Sequence, residues 1–247
     1  MTHALIAPAV LAVTLTALAW LHRGGRRRFD RFRGIEDSAD RRRTYLRWAA
    51  HGCLSNLGIP LVGLALLGRI DAMWSFPGEF AALAWTLPYF SMDDPTLLPI
   101  LLIGLPLGSL LSIWIALRGP SPRARRGYDL TPMLPRNRAE LLAILPLVIN
   151  AGVSEEIYFR LYLPLLLVLC GVPDWAAFLI ALAIFAAVHR YQGWLGIVLT
   201  GAGGAAFTLF YLGGWGLMLP ILLHLMANLN ALVLRPAVRL RFRPRTD

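Results

Sequence analysis

The amino-acid sequence predicts an all-α, polytopic transmembrane helical bundle of about seven spans. Three observations lead there. Hydrophobic residues fill 57% of the 247 positions, and the mean hydropathy is +0.60. Charged residues make up 15% of the chain, against roughly a quarter in an ordinary soluble domain. Several apolar runs approach or exceed the roughly 20 residues that cross a bilayer as helix. A helix satisfies its own backbone hydrogen bonds, so it is the natural spanning element for such runs. No stretch is long enough for a second folded domain, and no internal repeat or low-complexity tract interrupts the pattern.

The expected spans fall near residues 3–21, 48–68, 96–117, 139–170, 175–191, 194–212 and 216–234. The first has the length of a signal peptide, but signal peptides place positive charge before the apolar region. Here the arginines follow from Arg23 onward, which predicts a retained span with its N-terminus outside. Between the second and third spans lie Asp71, Glu79, Asp93 and Asp94 with Trp74, Trp85 and Tyr89. That mixture suits an external loop lying partly along the membrane surface. Pro120, Pro122, Pro132 and Pro135 make the next connection irregular, with Pro135 just ahead of the fourth span. The 139–170 run is too long for one straight crossing at about 1.5 Å per residue. Pro146, Gly152 and Pro164 are its candidate break or kink points.

Charge settles the orientation that the sequence predicts. The net charge is +10, and the chain has no lysine. Its arginines cluster at Arg23–Arg47, Arg118–Arg138 and Arg235–Arg245, with only Arg69, Arg160 and Arg190 outside. Each cluster abuts an apolar span, where the positive-inside rule puts cytoplasmic loops. An odd number of spans then leaves the N-terminus outside and the basic tail, 235–247, in the cytoplasm. The same placement brings the arginines to anionic lipid headgroups. Nucleic acid is excluded as a partner, because no basic stretch is interleaved with aromatics on a binding module. Cys53 and Cys170 stand alone in apolar runs and read as buried free thiols.

The informative residues are the ionisable ones inside the spans. Glu155, Glu156 and Arg160 lie between apolar stretches, and a charge at mid-membrane costs about 3 kcal/mol on insertion scales. Glu156 and Arg160 are four apart in acid-before-base order, which predicts an ion pair on one helix face. Glu155 points about 100° away and is free for other work. On the fifth span Phe185 and His189 share a face, and on the seventh His224 and Asn228 do so. Gly193, Gly196, Gly201, Gly203 and Gly204 between them allow close helix approach. Glu155, His189, His224 and Asn228 would then line one wet pocket. Carboxylate and imidazole there would activate water, with imidazole or amide donors facing a developing oxyanion. His3, His22 and His51 lack polar partners at useful spacing and are read as uninvolved; Asn150 is read as an interhelical hydrogen-bonding residue or an edge of the pocket.

Residues 155–160, Glu-Glu-Ile-Tyr-Phe-Arg, resemble the EExxxR motif of the CAAX prenyl protease and bacteriocin-processing (CPBP, Abi) family of intramembrane endopeptidases. Phe185–His189 resembles its FxxxH motif and His224–Asn228 its HxxxN motif, in the family's order. The resemblance implies a catalytic core over 139–234, preceded by N-terminal spans and arginine-rich loops over 1–138. It implies hydrolysis of a peptide bond in a membrane-anchored or lipidated protein or peptide. Glu155 and His189 would activate water, His224 and Asn228 would form the oxyanion site, and Glu156 with Arg160 would hold the first motif in place. No cofactor is the expectation, because the H-E-x-x-H zinc signature is absent. A divalent metal such as zinc on Glu155, His189 and His224 is the alternative. A scaffold or bacteriocin-immunity protein of the same fold is the rival function. A proton-coupled transporter ranks below it, since no repeated half is visible.

Overall fold

The computed structural model describes residues 2–87, 94–118 and 128–241. Tyr89, Asp93, Pro120, Pro122 and the tail beyond Arg241 lie outside the described residues, as does the side chain of His3. Among the described residues the chain is helical, with seven helices long and apolar enough to cross a membrane. We name the helices α1 (Thr2–His22), α2 (Gly25–Arg33), α3 (Ser38–Leu66) and α4 (Ala81–Trp85). They continue as α5 (Leu97–Arg118), α6 (Arg138–Leu169), α7 (Asp174–Gln192), α8 (Trp194–Trp215) and α9 (Met218–Arg241). The basic tail expected from Arg235 begins as a continuation of α9.

The bundle is built around α6. This 32-residue helix is unbroken, so neither Pro146 nor Pro164 interrupts it. At about 1.5 Å per residue it is about 48 Å long, more than the roughly 30 Å hydrocarbon layer. It therefore crosses tilted or carries its ends into the headgroup layer. In place of a break it contains a π-helical turn at Ile157–Tyr162. Every residue from Glu156 to Leu167 is buried, the mark of a central helix, apolar on nearly all sides. Residues Phe178, Ala181 and Phe185 of α7, Tyr211 of α8, Leu64 of α3 and Ala7 of α1 close around it. Thr14 of α1 shares a 2.6 Å hydrogen bond with the Tyr162 hydroxyl. Gly63 of α3 lies against that same ring, where no side chain would fit.

The first arginine cluster departs from its expected loop. Gly24, at φ 70, turns the chain from α1 into α2, and α3 begins at Ser38 rather than near residue 48. Arg41 is wholly buried. Its Nε donates to Glu140 at 3.0 Å, and one terminal nitrogen donates to the Tyr45 hydroxyl and to the Pro132 and Leu134 carbonyls. Its guanidinium also lies 4.5 Å over the Phe32 ring. Glu140 sits in the first turn of α6, which Asn137 caps by accepting from the Glu140 amide at 3.0 Å. This network clamps α3 to α6. By contrast α5 stands at the rim: nothing in its 97–115 window is buried, and it meets α9 through a Ser112 hydroxyl donating to Asn230 at 3.2 Å.

Outside the spans, Arg69 donates to both carboxylate oxygens of Glu79, one at 2.9 Å, folding the 70–80 turn back on the bundle. The Arg69 guanidinium holds the Glu79 carboxyl below its usual range. A carboxyl lowered on folding stabilises above its ordinary value, and that contribution is lost as pH falls through the lowered one. Acid below about pH 4.3 should therefore loosen this turn, seen as a pH-dependent fall in Tm that Glu79→Gln makes shallower. At the other clamp, Glu140→Gln leaves the Arg41 charge buried and unpaired, which typically costs about 3–5 kcal/mol. Thermal unfolding in detergent should show a large drop in Tm; an unchanged midpoint would show that the clamp is dispensable.

Candidate active site

The site grows from the last α-helical turn of α6 before its π-turn. Such turns concentrate at functional positions because they rotate the following side chains relative to the preceding ones. Glu156 faces inward and is completely buried. One of its oxygens lies 3.1 Å from Arg160 Nε, the ion pair expected from the spacing. The other accepts from His224 Nδ1 at 2.6 Å. A single carboxylate thus bridges α6 to α9. This assigns His224 a partner that spacing alone did not give.

Arg160 carries the connection further. A terminal nitrogen donates to the Gly204 carbonyl of α8 at 3.2 Å. The guanidinium lies 4.4 Å from the centre of the Phe185 ring and 5.6 Å from that of Phe207. Cation–π attraction of this kind strengthens when the cation is desolvated. Two glycines make the geometry accessible. A Cβ on Gly152 would lie 3.1 Å from the Leu225 Cα, so α6 and α9 approach almost backbone to backbone. A Cβ on Gly204 would lie 2.8 Å from the Phe185 ring.

Glu155 points elsewhere, as its position next to Glu156 requires. It is half-buried, and its Oε2 lies 3.7 Å from His189 Nε2, too long for a direct hydrogen bond. His189 closes α7. Its Nδ1 lies 2.8 Å from the Phe185 carbonyl. A carbonyl only accepts, so Nδ1 carries a proton, and Nε2 is the ring nitrogen turned toward Glu155. Gly193, at φ 98, then turns the chain sharply into α8.

The six residues singled out by the sequence are therefore tied to differing degrees. Glu155 faces His189, and Glu156 joins Arg160 and His224. Asn228 is one turn beyond His224 and half-buried; among the described residues its amide makes no hydrogen bond. Asn150 packs its amide against Gly52 of α3 and lines an apolar groove with Pro146 and Val153. Three participants carried no sequence signal: the Gly204 carbonyl, the Phe207 ring and His22. Phe207 lies 5.6 Å from the His224 ring. His22, set aside in the sequence reading, lies within electrostatic range of Glu155 and His189. Its carbonyl accepts from Arg190 at 3.3 Å.

A metal would need convergent donors. Among the described residues no three His, Cys, Asp or Glu side chains form such a set.

The fold and site define a multi-pass membrane protein with acid–base groups gathered inside its helix bundle. Residues 137–230 match the Rce1-like family, described as type II CAAX prenyl endopeptidase Rce1-like. The match runs from the cap of α6 into α9, and so spans every residue named in the three motifs. The core is that of a CAAX-type intramembrane endopeptidase. Neither a comparison with curated proteins nor one with solved structures yields a match.

The Gly204 contact gives a direct test of how tightly this site is packed. Gly204→Ala should push Phe185 off Arg160, destabilise the protein by about 1–3 kcal/mol and reduce proteolysis. Gly203→Ala, whose Cβ meets nothing within 4 Å, should change neither Tm nor turnover.

Proposed function

We propose that the protein hydrolyses a peptide bond of a membrane-associated or lipidated protein or peptide, with Glu155 and His189 activating the water. The observation that carries this reading is the facing pair, Glu155 Oε2 and His189 Nε2, 3.7 Å apart. With the ring neutral these are two acceptors, which suit a molecule that donates twice. A water giving one hydrogen to each turns its lone pairs outward, toward a carbonyl carbon. As it attacks, Glu155 takes its proton and then returns one to the leaving amine. The Phe185 carbonyl keeps His189 in the tautomer this requires.

Charge develops on the carbonyl oxygen during that step. His224 Nε2 and the unpartnered Asn228 amide are its donors in this reading. Nδ1 of His224 already donates to Glu156, so Nε2 donates only from the doubly protonated ring. Glu156 faces that ring and Arg160 together, and offsets one of their two positive charges. Glu156 and Arg160 act as positioning residues that touch no substrate. No step runs through a metal.

Enclosure within spanning helices favours a substrate delivered by the bilayer. The first arginine cluster lies at the same end of the bundle as His189: Phe29 of α2 packs 5.3 Å from the Tyr191 ring. With arginines placed inside by the usual rule, the N-terminus lies outside, the C-terminus lies in the cytoplasm, and that end of the site is cytoplasmic.

Glu155→Gln should lower turnover by about 10²–10⁴-fold at unchanged membrane abundance. Mapping the termini of membrane and secreted proteins in cells with each variant reads this out. Cleavage sites lost in Glu155→Gln identify the substrate. Unchanged termini with a persisting wild-type phenotype would replace the protease reading with a scaffold or immunity role.

A further inference from the structure

Helices α2 and α3, joined by the turn at 34–37, flank an open cavity of about 340 Å³. Its polar wall is Arg28, Arg31, Arg47 and Thr44. Its apolar floor is Phe32, Ile35 and Trp48. Neighbouring arginines have acids of their own: Arg33 pairs with Asp129 at 2.9 Å, Arg41 with Glu140 at 3.0 Å and Arg43 with Asp40 at 3.3 Å. Among the described residues no carboxylate pairs with Arg28, Arg31 or Arg47. Three guanidinium groups of one sign therefore share a cavity with nothing to neutralise them.

The level of the cavity identifies what does. After Arg47, α3 carries no acid or arginine through Leu66, so the hydrocarbon boundary falls beside Arg47 and Trp48. Tryptophan is enriched at that depth. On α2 the arginines face outward while Phe29 and Phe32 are buried, as in a helix lying along a membrane surface. The cavity thus sits among headgroups, positively charged above and apolar below.

We propose that it binds the phosphate of an anionic phospholipid, gripped by Arg28, Arg31 and Arg47. Guanidinium forks match phosphate oxygens in bidentate geometry. The floor receives the glycerol and upper acyl carbons, which a free phosphate lacks. Bound lipid steadies α2, whose Phe29 packs against Tyr191, itself 6.0 Å from the His189 ring. The site is independent of the proteolytic reading.

Native mass spectrometry of the full chain in detergent, titrated with phosphatidylglycerol or phosphatidylcholine, tests this. Arg28 is kept, because it also donates to the Leu21 and Arg23 carbonyls. Arg31→Gln/Arg47→Gln should weaken phosphatidylglycerol binding about a hundredfold, from the loss of two charge-assisted contacts. Arg26→Gln/Arg27→Gln, which removes equal charge from exposed positions of α2 outside the cavity, should change it little. Phosphatidylcholine should bind weakly to all three proteins, and inorganic phosphate should not displace phosphatidylglycerol. Equal losses in the two doubles would reduce the effect to diffuse charge and overturn the proposal. So would unchanged binding in the Arg31/Arg47 variant, or displacement by inorganic phosphate.

Discussion

A carboxylate inside a helix bundle at membrane depth has to be paired, because the surrounding hydrocarbon solvates no charge. Glu156 meets this constraint with both oxygens, one toward Arg160 and one toward His224. Arg160 then reaches the Gly204 carbonyl and the Phe185 and Phe207 rings. Through these contacts one buried charge fixes α6, α7, α8 and α9 relative to one another. The tight approaches at Gly152 and Gly204 follow from the same demand. A side chain at Gly152 would hold α6 and α9 too far apart for the 2.6 Å hydrogen bond between them.

This arrangement leaves Glu155 with different work from its neighbour. One residue along the helix turns it away from the ion pair and toward His189, in a half-buried position. Two adjacent glutamates thus meet different partners through direction alone, one closed into an ion pair and the other facing an imidazole. The π-turn that starts directly after them completes the separation. It lets Arg160 fold back onto Glu156 while the rest of the turn stays packed in the core.

The N-terminal half supplies the frame. Its strongest tie to α6, the Arg41–Glu140 clamp, belongs to a cluster that composition marks as a basic loop. An arginine run reads as solvated because guanidinium groups nearly always are. Only when Glu140, the Tyr45 hydroxyl and two carbonyls converge can one be dehydrated, and those partners are about 90 residues or more away in sequence, apart from Tyr45.

The sequence by itself determined the helical class, the seven spans and the short-range pairs. Hydropathy and the 3.6-residue period act along one chain segment, so Glu156–Arg160, Phe185–His189 and His224–Asn228 could be placed on common faces. It also yielded the family resemblance that the match over residues 137–230 bears out. Tertiary structure decided which faces meet. That His224 turns to Glu156 while Glu155 faces His189, that α6 bends its register through a π-turn instead of breaking at a proline, and that Arg41 is buried while Arg31 and Arg47 stay unpaired, all depend on contacts between distant segments. Such contacts are chosen by packing and charge compensation in three dimensions, and local periodicity carries no record of them.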